Sequence, residues 1–519
     1  EESADVDADP GPLRASSRRR SCPDLEELTR HARRGHVPIR SPDLVFIPRE
    51  PNYVGSAGAP VHSGPWDYLV DVPLVLYGPG HVRAAGDVDA GASMVDLAPT
   101  TARLIDFRGL GRTHGHVLDQ ALIGAPRPPR LVVTIVWDGG GWNVLRAHPN
   151  RWPFLARLMR RGASYTRMTV GSSPSVTPPI HATLATGMWP FAHGIPGLRL
   201  RTRSNEYVDP MLGLDMSNLE APTVADLYDR AQSNRPVTGM MAASNWHLAM
   251  IGHGASFPGG DDDPAVLVDD EGGTYTNSEL FSLPVGPDPA LYERLAQELD
   301  ASDGKRDERW RGHPLEKAAV GYSSPSQVAY QQILLERLVE AGGFGADGVP
   351  DLLYANFKPS DDSGHRWGMT SKETGETIAA QDRALRRLVG FLDRTVGGGR
   401  WVLMLTADHG QTPYPQESGA WPVGGAELQS DANRGLDRTR NGVELVDRVV
   451  SAGAYVRRDE LEANGIGLER IGRWLARYTV GENLEESRLP GYYDGKRSDA
   501  IFDAVLARGK VAGRSCRTE

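Results

Sequence analysis

The stretch Leu131-Val-Val-Thr-Ile-Val-Trp137 is apolar or β-branched throughout and ends in Asp138-Gly-Gly-Gly141. A run with no polar face has nothing to offer water on either side. It is therefore a strand buried on both faces, the condition met in the middle of a parallel sheet covered by helices. Similar short strands are expected at 237–241, 351–357 and 401–406, with helical patterns between them. This alternation predicts an α/β fold, a doubly wound and mostly parallel central sheet with helices on both faces. Two further strands, at 44–47 and 72–77, and a helix at 93–104 precede the Leu131 run.

Ala125-Pro-Arg-Pro-Pro-Arg130 is stiff and hostile to helix, so 126–130 reads as a linker. Before it, residues 1–21 are acidic and then Ser/Arg-rich, a disordered tail, and 22–125 form a segment that completes the core. After it, 131–519 form the main part of the same catalytic domain, with a Gly-, Asp- and Pro-rich insertion at 256–315 expected to lie over the site. No apolar run approaches the roughly 18 residues of a membrane span. A net charge of −10 argues against a nucleic-acid polymer as partner, so any phosphate-containing substrate is expected to be small. With only two cysteines, Cys22 and Cys516, any metal ligands must be Asp and His. The chain opens on Glu1-Glu2 with no apolar signal core, which favours the cytoplasm, with export and trimming as the alternative.

In an open α/β sheet the ligand site lies off the carboxyl ends of the strands. Asp138, Asp361 and Asp408-His409 each follow a predicted strand closely. An Asp in that position is more often a turn or cap residue, but three together weaken that explanation. Asp361-Asp-Ser-Gly-His365 sets a carboxylate and an imidazole four apart, converging on one point over one helical turn, as a metal pair or as a solvated pair. In Ser175-Val-Thr177-Pro-Pro-Ile-His181 the two prolines suit a first helical turn and make Thr177 the expected N-cap. A hydroxyl there stands in the positive end of the helix field, where it serves as a cap or as a nucleophile. His181 and His193 read as packing or orienting groups.

Asp138, Thr177-x-Pro-x-His181, Thr186-Gly187-x-x-Pro190-x-x-His193-Gly-Ile195, Asp361-x-x-Gly364-His365 and Thr406-Ala-Asp408-His409-Gly410 together resemble the alkaline phosphatase superfamily, and within it the type I phosphodiesterase/nucleotide pyrophosphatase branch. The resemblance implies a hydrolase with two divalent metal ions, zinc or, as the competitor, manganese. One metal would be held by Asp361, His365 and His62, the other by Asp138, Asp408, His409 and the Thr177 oxygen. It also implies in-line attack by Thr177 and a phosphothreonine intermediate, with Asn205 as a phosphate ligand that arrives several residues late. The family's last His ligand comes near its C-terminus, yet no His follows His409 here. Val61-His62 to Gly80 and Ser93 to Thr100 resemble that missing segment, so the chain reads as circularly permuted, an arrangement that would bring Cys22 and Cys516 into one region. Phosphodiester or pyrophosphate cleavage is the expected reaction, because neither Arg167 nor Arg366 stands where a monoester clamp would, and Trp137, Trp142 and Trp189 could face a leaving group. The alternatives are a phosphonate hydrolase or phosphomonoesterase on the same core, or a metal-free binding protein of the same fold.

Overall fold

The computed structural model of the protein describes residues 25–124, 127–318, 323–483 and 495–514. The expected tail at 1–21, the start of the Pro-rich stretch, Cys22 and Cys516 lie outside the described residues. The chain forms two compact units, a larger one from Arg30–Pro42 and His62–Gln411 and a smaller one that includes Asp43–Val61 and Thr412–Glu519.

The larger unit is built on nine strands: β1 Asp71–Tyr77, β2 Gly86–Ser93, β3 Leu131–Trp137, β4 Ala163–Thr169, β5 Thr238–Ala242, β6 Ala265–Val268, β7 Thr274–Tyr275, β8 Asp351–Phe357 and β9 Trp401–Thr406. They form one sheet in the order β7-β6-β5-β8-β3-β9-β1-β4-β2. From β6 to β9 every pairing is parallel, and β1 is the antiparallel strand between β9 and β4. Register follows residue by residue through the centre, Leu131 to Trp137 facing Asp351 to Phe357 on one side, and Leu131 to Val136 facing Trp401 to Thr406 on the other.

The alternation of β3 explains why its sequence is apolar on every residue. Val132 and Val136 enter one core with Ile180, Leu184, Val224 and Tyr228 from two helices, while Leu131, Val133 and Ile135 enter a second core with Leu334, Leu338, Leu385 and Leu388. Successive side chains leave a strand on opposite sides, so a sheet with helices on both faces demands apolar residues at both parities. The fold is thus the doubly wound α/β arrangement expected from the sequence.

The finer elements differ from expectation in three places. The predicted helix over 93–104 begins as a single 3-10 turn at Met94–Asp96, where Ser93 and Asp96 form a reciprocal capping box, and becomes α-helical only at Leu97–Leu104. Within 256–315, β6 and β7 extend the central sheet at its edge, because Ala265-Val-Leu-Val268 is an apolar run whose Gly- and Asp-rich flanks mask its strand character. The expected strand at 44–47 is present as Leu44–Pro48, but it belongs to the smaller unit. There it pairs with Gly453–Val456 and Phe502–Ala507 in a five-stranded antiparallel sheet packed on helices Gly425–Leu436 and Leu468–Leu475. The smaller unit therefore has its own core, which includes Phe46, Leu428, Leu445, Ile471 and Phe502, where the sequence alone suggests a single catalytic domain.

Leu403 lies at the middle of β9, has no exposed surface, and is paired with Val133 and Tyr77. Leu403→Ala removes side-chain volume that neighbouring strands cannot refill, and a loss of about 2–5 kcal/mol is expected by denaturant unfolding.

Candidate active site

The parallel register brings the carboxyl ends of β3, β8 and β9 to one level, and the site is assembled there. Asp138 follows β3 directly and has no exposed surface. Gly139 has φ +64°, and a side chain at that position would meet the Asp361 backbone at 2.9 Å, so the turn after β3 needs glycine. Its N–H donates to Asp408 Oδ1 (3.0 Å). Beyond β8, Pro359 opens the helix Pro359–Trp367, placing Asp361 in the first turn and His365 one turn later. Pro in the first turn costs no hydrogen bond, and a carboxylate there is favoured by the helix field.

The ligand-type residues fall into two groups, His62 with Asp361 and His365, and Asp138 with Asp408 and His409. Within each group one ligand atom per residue lies within 4.8 Å of the others. His62 Nε2 is 3.8 Å and His365 Nε2 3.3 Å from Asp361 Oδ1, although His62 is far removed in the chain. His409 Nε2 is 3.5 Å from Asp138 Oδ1 and 3.3 Å from Asp408 Oδ2. The His62 and His409 rings stack at a centroid distance of 3.5 Å, which joins the two groups into one buried site.

The protonation pattern suits metal ligation. His62 Nδ1 donates to Ser175 O (2.8 Å) and His409 Nδ1 to Gly410 O (3.0 Å), leaving both Nε2 lone pairs pointing inward. Burial and then the neighbouring His409 hold His62 well below the usual imidazole range, and burial likewise lowers His409, which favours the neutral rings that metal ligation needs. His409 Nε2 and Asp408 Oδ2 are buried with no hydrogen-bond partner, and Asp361 Oδ1 faces two imidazoles yet is hydrogen-bonded to neither. Orphaned buried polar atoms are rare in proteins, and a divalent cation at each group would satisfy all three. The residues present therefore fit two metal ions.

Three site residues lay outside the sequence reading. Lys358 Nζ donates to Asp138 Oδ1 (3.2 Å) and Asp361 Oδ2 (2.5 Å), an ammonium tying the two groups together. Burial alone would lower Lys358, but the Asp138 and Asp361 charges outweigh it and raise it. Burial would likewise raise Asp138 and Asp361, and Lys358 holds both below the usual carboxylate range. Asp408 receives too little of this help, and burial followed by the Asp138 charge pushes it well above that range. Asn356 Nδ2 donates to Asp138 Oδ2 (3.0 Å) and to His181 Nε2 (3.2 Å), and His247 Nε2 lies 3.0 Å from Asp138 Oδ2. A polar Asn inside the buried strand β8 was a visible signal. Lys358 and His247 follow β8 and β5 closely, so the strand-end rule covered them too.

Thr177 is the first residue of the helix Thr177–Thr186 and is almost fully buried. The N-cap is Val176, not Thr177 as expected, because Pro178 and Pro179 allow the helix to begin one residue earlier, and the Thr177 side chain caps nothing. His181, one turn on, donates from Nδ1 to Thr177 O (2.8 Å) and lies 3.8 Å from Asp408 Oδ2, an orienting position. His193 Nε2 meets Thr183 Oγ1 (3.0 Å) and braces the same helix. Asn205 is not brought to the site. It is exposed at the tip of the Leu200–Arg201 and Tyr207–Val208 hairpin with φ +64°, a conformation Asn tolerates, and its N–H closes the turn onto Thr202 O (3.1 Å). Trp137, Trp142 and Trp189 are buried in the core and offer no open aromatic surface. Arg167 pairs with Asp89, and Arg366 donates to Ser323 Oγ.

Comparison with known proteins places this arrangement. The family model described as type I phosphodiesterase / nucleotide pyrophosphatase matches residues 132–463. Alkaline phosphatase PhoV of Synechococcus elongatus is 25% identical over 336 residues, covering 55% of this chain and 60% of the relative. Alkaline phosphatase PafA of Elizabethkingia meningoseptica is 24% identical over 336 residues, with the same 55% and 60% covered. The chain thus matches about three-fifths of the length of these curated relatives. A crystal structure of alkaline phosphatase PafA shares the fold with a TM-score of 0.53 at 18% identity, over 76% of this chain and 85% of that one. The chain belongs to the type I phosphodiesterase / nucleotide pyrophosphatase family, within the alkaline phosphatase superfamily.

Proposed function

We propose that the protein is a two-metal phosphoesterase that cleaves phosphodiester or pyrophosphate bonds of small molecules, with Thr177 as nucleophile. The observation that carries this reading is the pair of ligand groups with orphaned inward atoms at the strand ends. When bound, the two ions, zinc in first place and manganese as competitor, would lower the barrier to deprotonating the nucleophile and neutralise charge on the phosphoryl oxygens. Asp361, His365 and His62 would hold one, and Asp138, Asp408 and His409 the other with the Thr177 oxygen. Thr177 Oγ1 attacks phosphorus, the phosphorus–oxygen bond to the leaving group breaks, and a phosphothreonine forms. Water then attacks phosphorus from the opposite side and releases the Thr177 hydroxyl. His181 and Asn356 position the chain at Thr177 and Asp138 throughout.

A circular permutation is part of the same reading. It is supported by the family match beginning at residue 132, after the Pro-rich stretch, while β1 and His62 from ahead of that point stand among the matched strands and ligands.

One observation favours a second reading, a phosphomonoesterase or phosphonate hydrolase. A monoester dianion needs a cation near the metals, and Lys358 puts an ammonium in the site. Its two carboxylate partners already neutralise it, so cleavage of the diester remains the primary proposal.

Three measurements test these readings. Thr177→Ala is expected to lose at least about 10³-fold in kcat, as an enzyme stripped of its nucleophile does. Because the side chain caps nothing, stability should change by less than about 1 kcal/mol in thermal melts. Near-wild-type turnover would remove Thr177 as nucleophile.

Lys358→Met leaves Asp138 and Asp361 buried without their ammonium, and in chelator-treated protein a loss of about 3–5 kcal/mol is expected. Saturating zinc should close most of that gap by supplying the missing charge. A metal-free binding protein would show the loss with no rescue, and it would show no zinc in metal analysis.

The leaving-group preference is read from kcat/KM for a nitrophenyl diester against the matching monoester with metal supplied. The expected ratio exceeds one, and a smaller ratio transfers the assignment to the monoesterase reading with the metal site unchanged.

A further inference from the structure

At the opposite end of the same sheet a second cluster has no part in the proposed chemistry. Thr238 opens β5, and it is level with Leu352 at the start of β8. The catalytic residues stand beyond the far ends of these parallel strands, and at about 3.3 Å per residue they are roughly 15–20 Å away. Here Asp229, near the end of the helix Val224–Ala231, meets Asp261 and Asp263 from the loop that leads into β6. One carboxylate oxygen from each lies within 4.8 Å of the other two.

Asp229 is 3% exposed, and its Oδ1 is buried with no hydrogen-bond partner. Asp261 Oδ1 is buried and unpartnered in the same way. Both side chains line a small cavity beside Thr238, Gly260 and Asp263. Asp263 is fixed in place, its Oδ1 accepting from the Thr238 N–H (3.0 Å) and its Oδ2 from the Thr238 hydroxyl. With the Asn234 amide turned so that its nitrogen faces the carboxylate, it donates to the second Asp229 oxygen (3.2 Å) and to Gly259 O (2.9 Å). No arginine, lysine or histidine among the described residues is ion-paired with any of the three carboxylates, and the nearest imidazole, His253, is bound to Asp226 instead.

We infer that Asp229, Asp261 and Asp263 hold a structural calcium ion that fastens the 252–263 loop to the edge of the sheet. Three carboxylates gathered this closely repel one another, and the orphaned oxygens of Asp229 and Asp261 have lost their hydration without compensation. The donors are all oxygen, which selects a hard cation and excludes the zinc-type mixture of the catalytic residues. Calcium accepts irregular sets of oxygen ligands, whereas magnesium demands a near-ideal octahedron and keeps its waters, so carboxylates drawn from a helix and a loop suit calcium.

The test uses zinc-saturated full chain, so that the catalytic ligands are already filled, titrated with calcium chloride near neutral pH by calorimetry and thermal melting. The expected result is one calcium per chain at micromolar to millimolar concentration, with a rise in Tm of a few degrees. Asp261→Asn, on the half-exposed loop, and Asp229→Asn are each expected to abolish both responses while zinc content and turnover stay at the wild-type level. Absence of calcium binding by the wild type up to about 5 mM, retention of it by Asp261→Asn, or a response to magnesium with none to calcium would each overturn the assignment. A wild type that ignores calcium but loses stability between neutral and alkaline pH would show that the carboxyls share protons instead, which also overturns it.

Discussion

Everything at the candidate active site depends on how three buried carboxylates are kept charged. Asp138, Asp361 and Asp408 converge from three strand ends, and Lys358 is the ammonium that meets two of them. That single positive charge holds Asp138 and Asp361 in their ionised form and leaves Asp408 protonation-prone. A buried site with this deficit has a strong electrostatic demand for added cations, and the neutral, inward-facing nitrogens of His62 and His409 supply lone pairs to receive them. Under the proposed two-metal reading, Lys358 and incoming ions would share the same carboxylate oxygens.

The geometry behind that charge cluster comes from the parallel register. Because β3, β8 and β9 run in the same direction and in step, their carboxyl ends form one rim, and a residue placed just past each end reaches the same space. Prolines occupy the first turns of the helices Thr177–Thr186 and Pro359–Trp367, so Thr177 and Asp361 both stand at helix N-termini, where backbone N–H groups have no intrahelical partner. Asn356 then links Asp138 to His181, and His181 to the Thr177 carbonyl, so that the carboxylate and the candidate nucleophile share one hydrogen-bonded frame. The opposite end of the sheet has the contrary design. Asp229, Asp261 and Asp263 carry no ammonium partner, and their oxygen-only donor set suits a hard cation that ties down a loop.

Much of this was legible in the residues because burial on two faces leaves a distinctive text. β3, β8 and β9 appeared as apolar runs with the bounds the structure gives them, and the strand-end rule reached Asp138, Asp361 and Asp408-His409 without tertiary information. Asn205 shows where such reading runs out. Its type matched a phosphate ligand, but its backbone lies in the left-handed region at an exposed turn, a local demand that had nothing to do with the site. Lys358 was passed over for the opposite reason. A lysine after a strand is usually a solvated surface group, and only the convergence of two carboxylates from distant segments makes it a buried one.

By itself the sequence determined the fold class, five of the nine strands of the central sheet and the residue types at the ends of its buried core strands, since these follow from local periodicity and from the refusal of apolar runs to face water. Tertiary structure decided what local pattern does not contain. It set His62 against Asp361 and His365 across some three hundred residues of chain and gave Leu44–Pro48 to the smaller unit's sheet. It also moved the helix start from Pro178 to Thr177 and turned Lys358 inward. The physical reason is common to these cases. Partner choice in a sheet and the field at a buried charge are sums over groups far apart in sequence, so no window of residues, however well read, contains them.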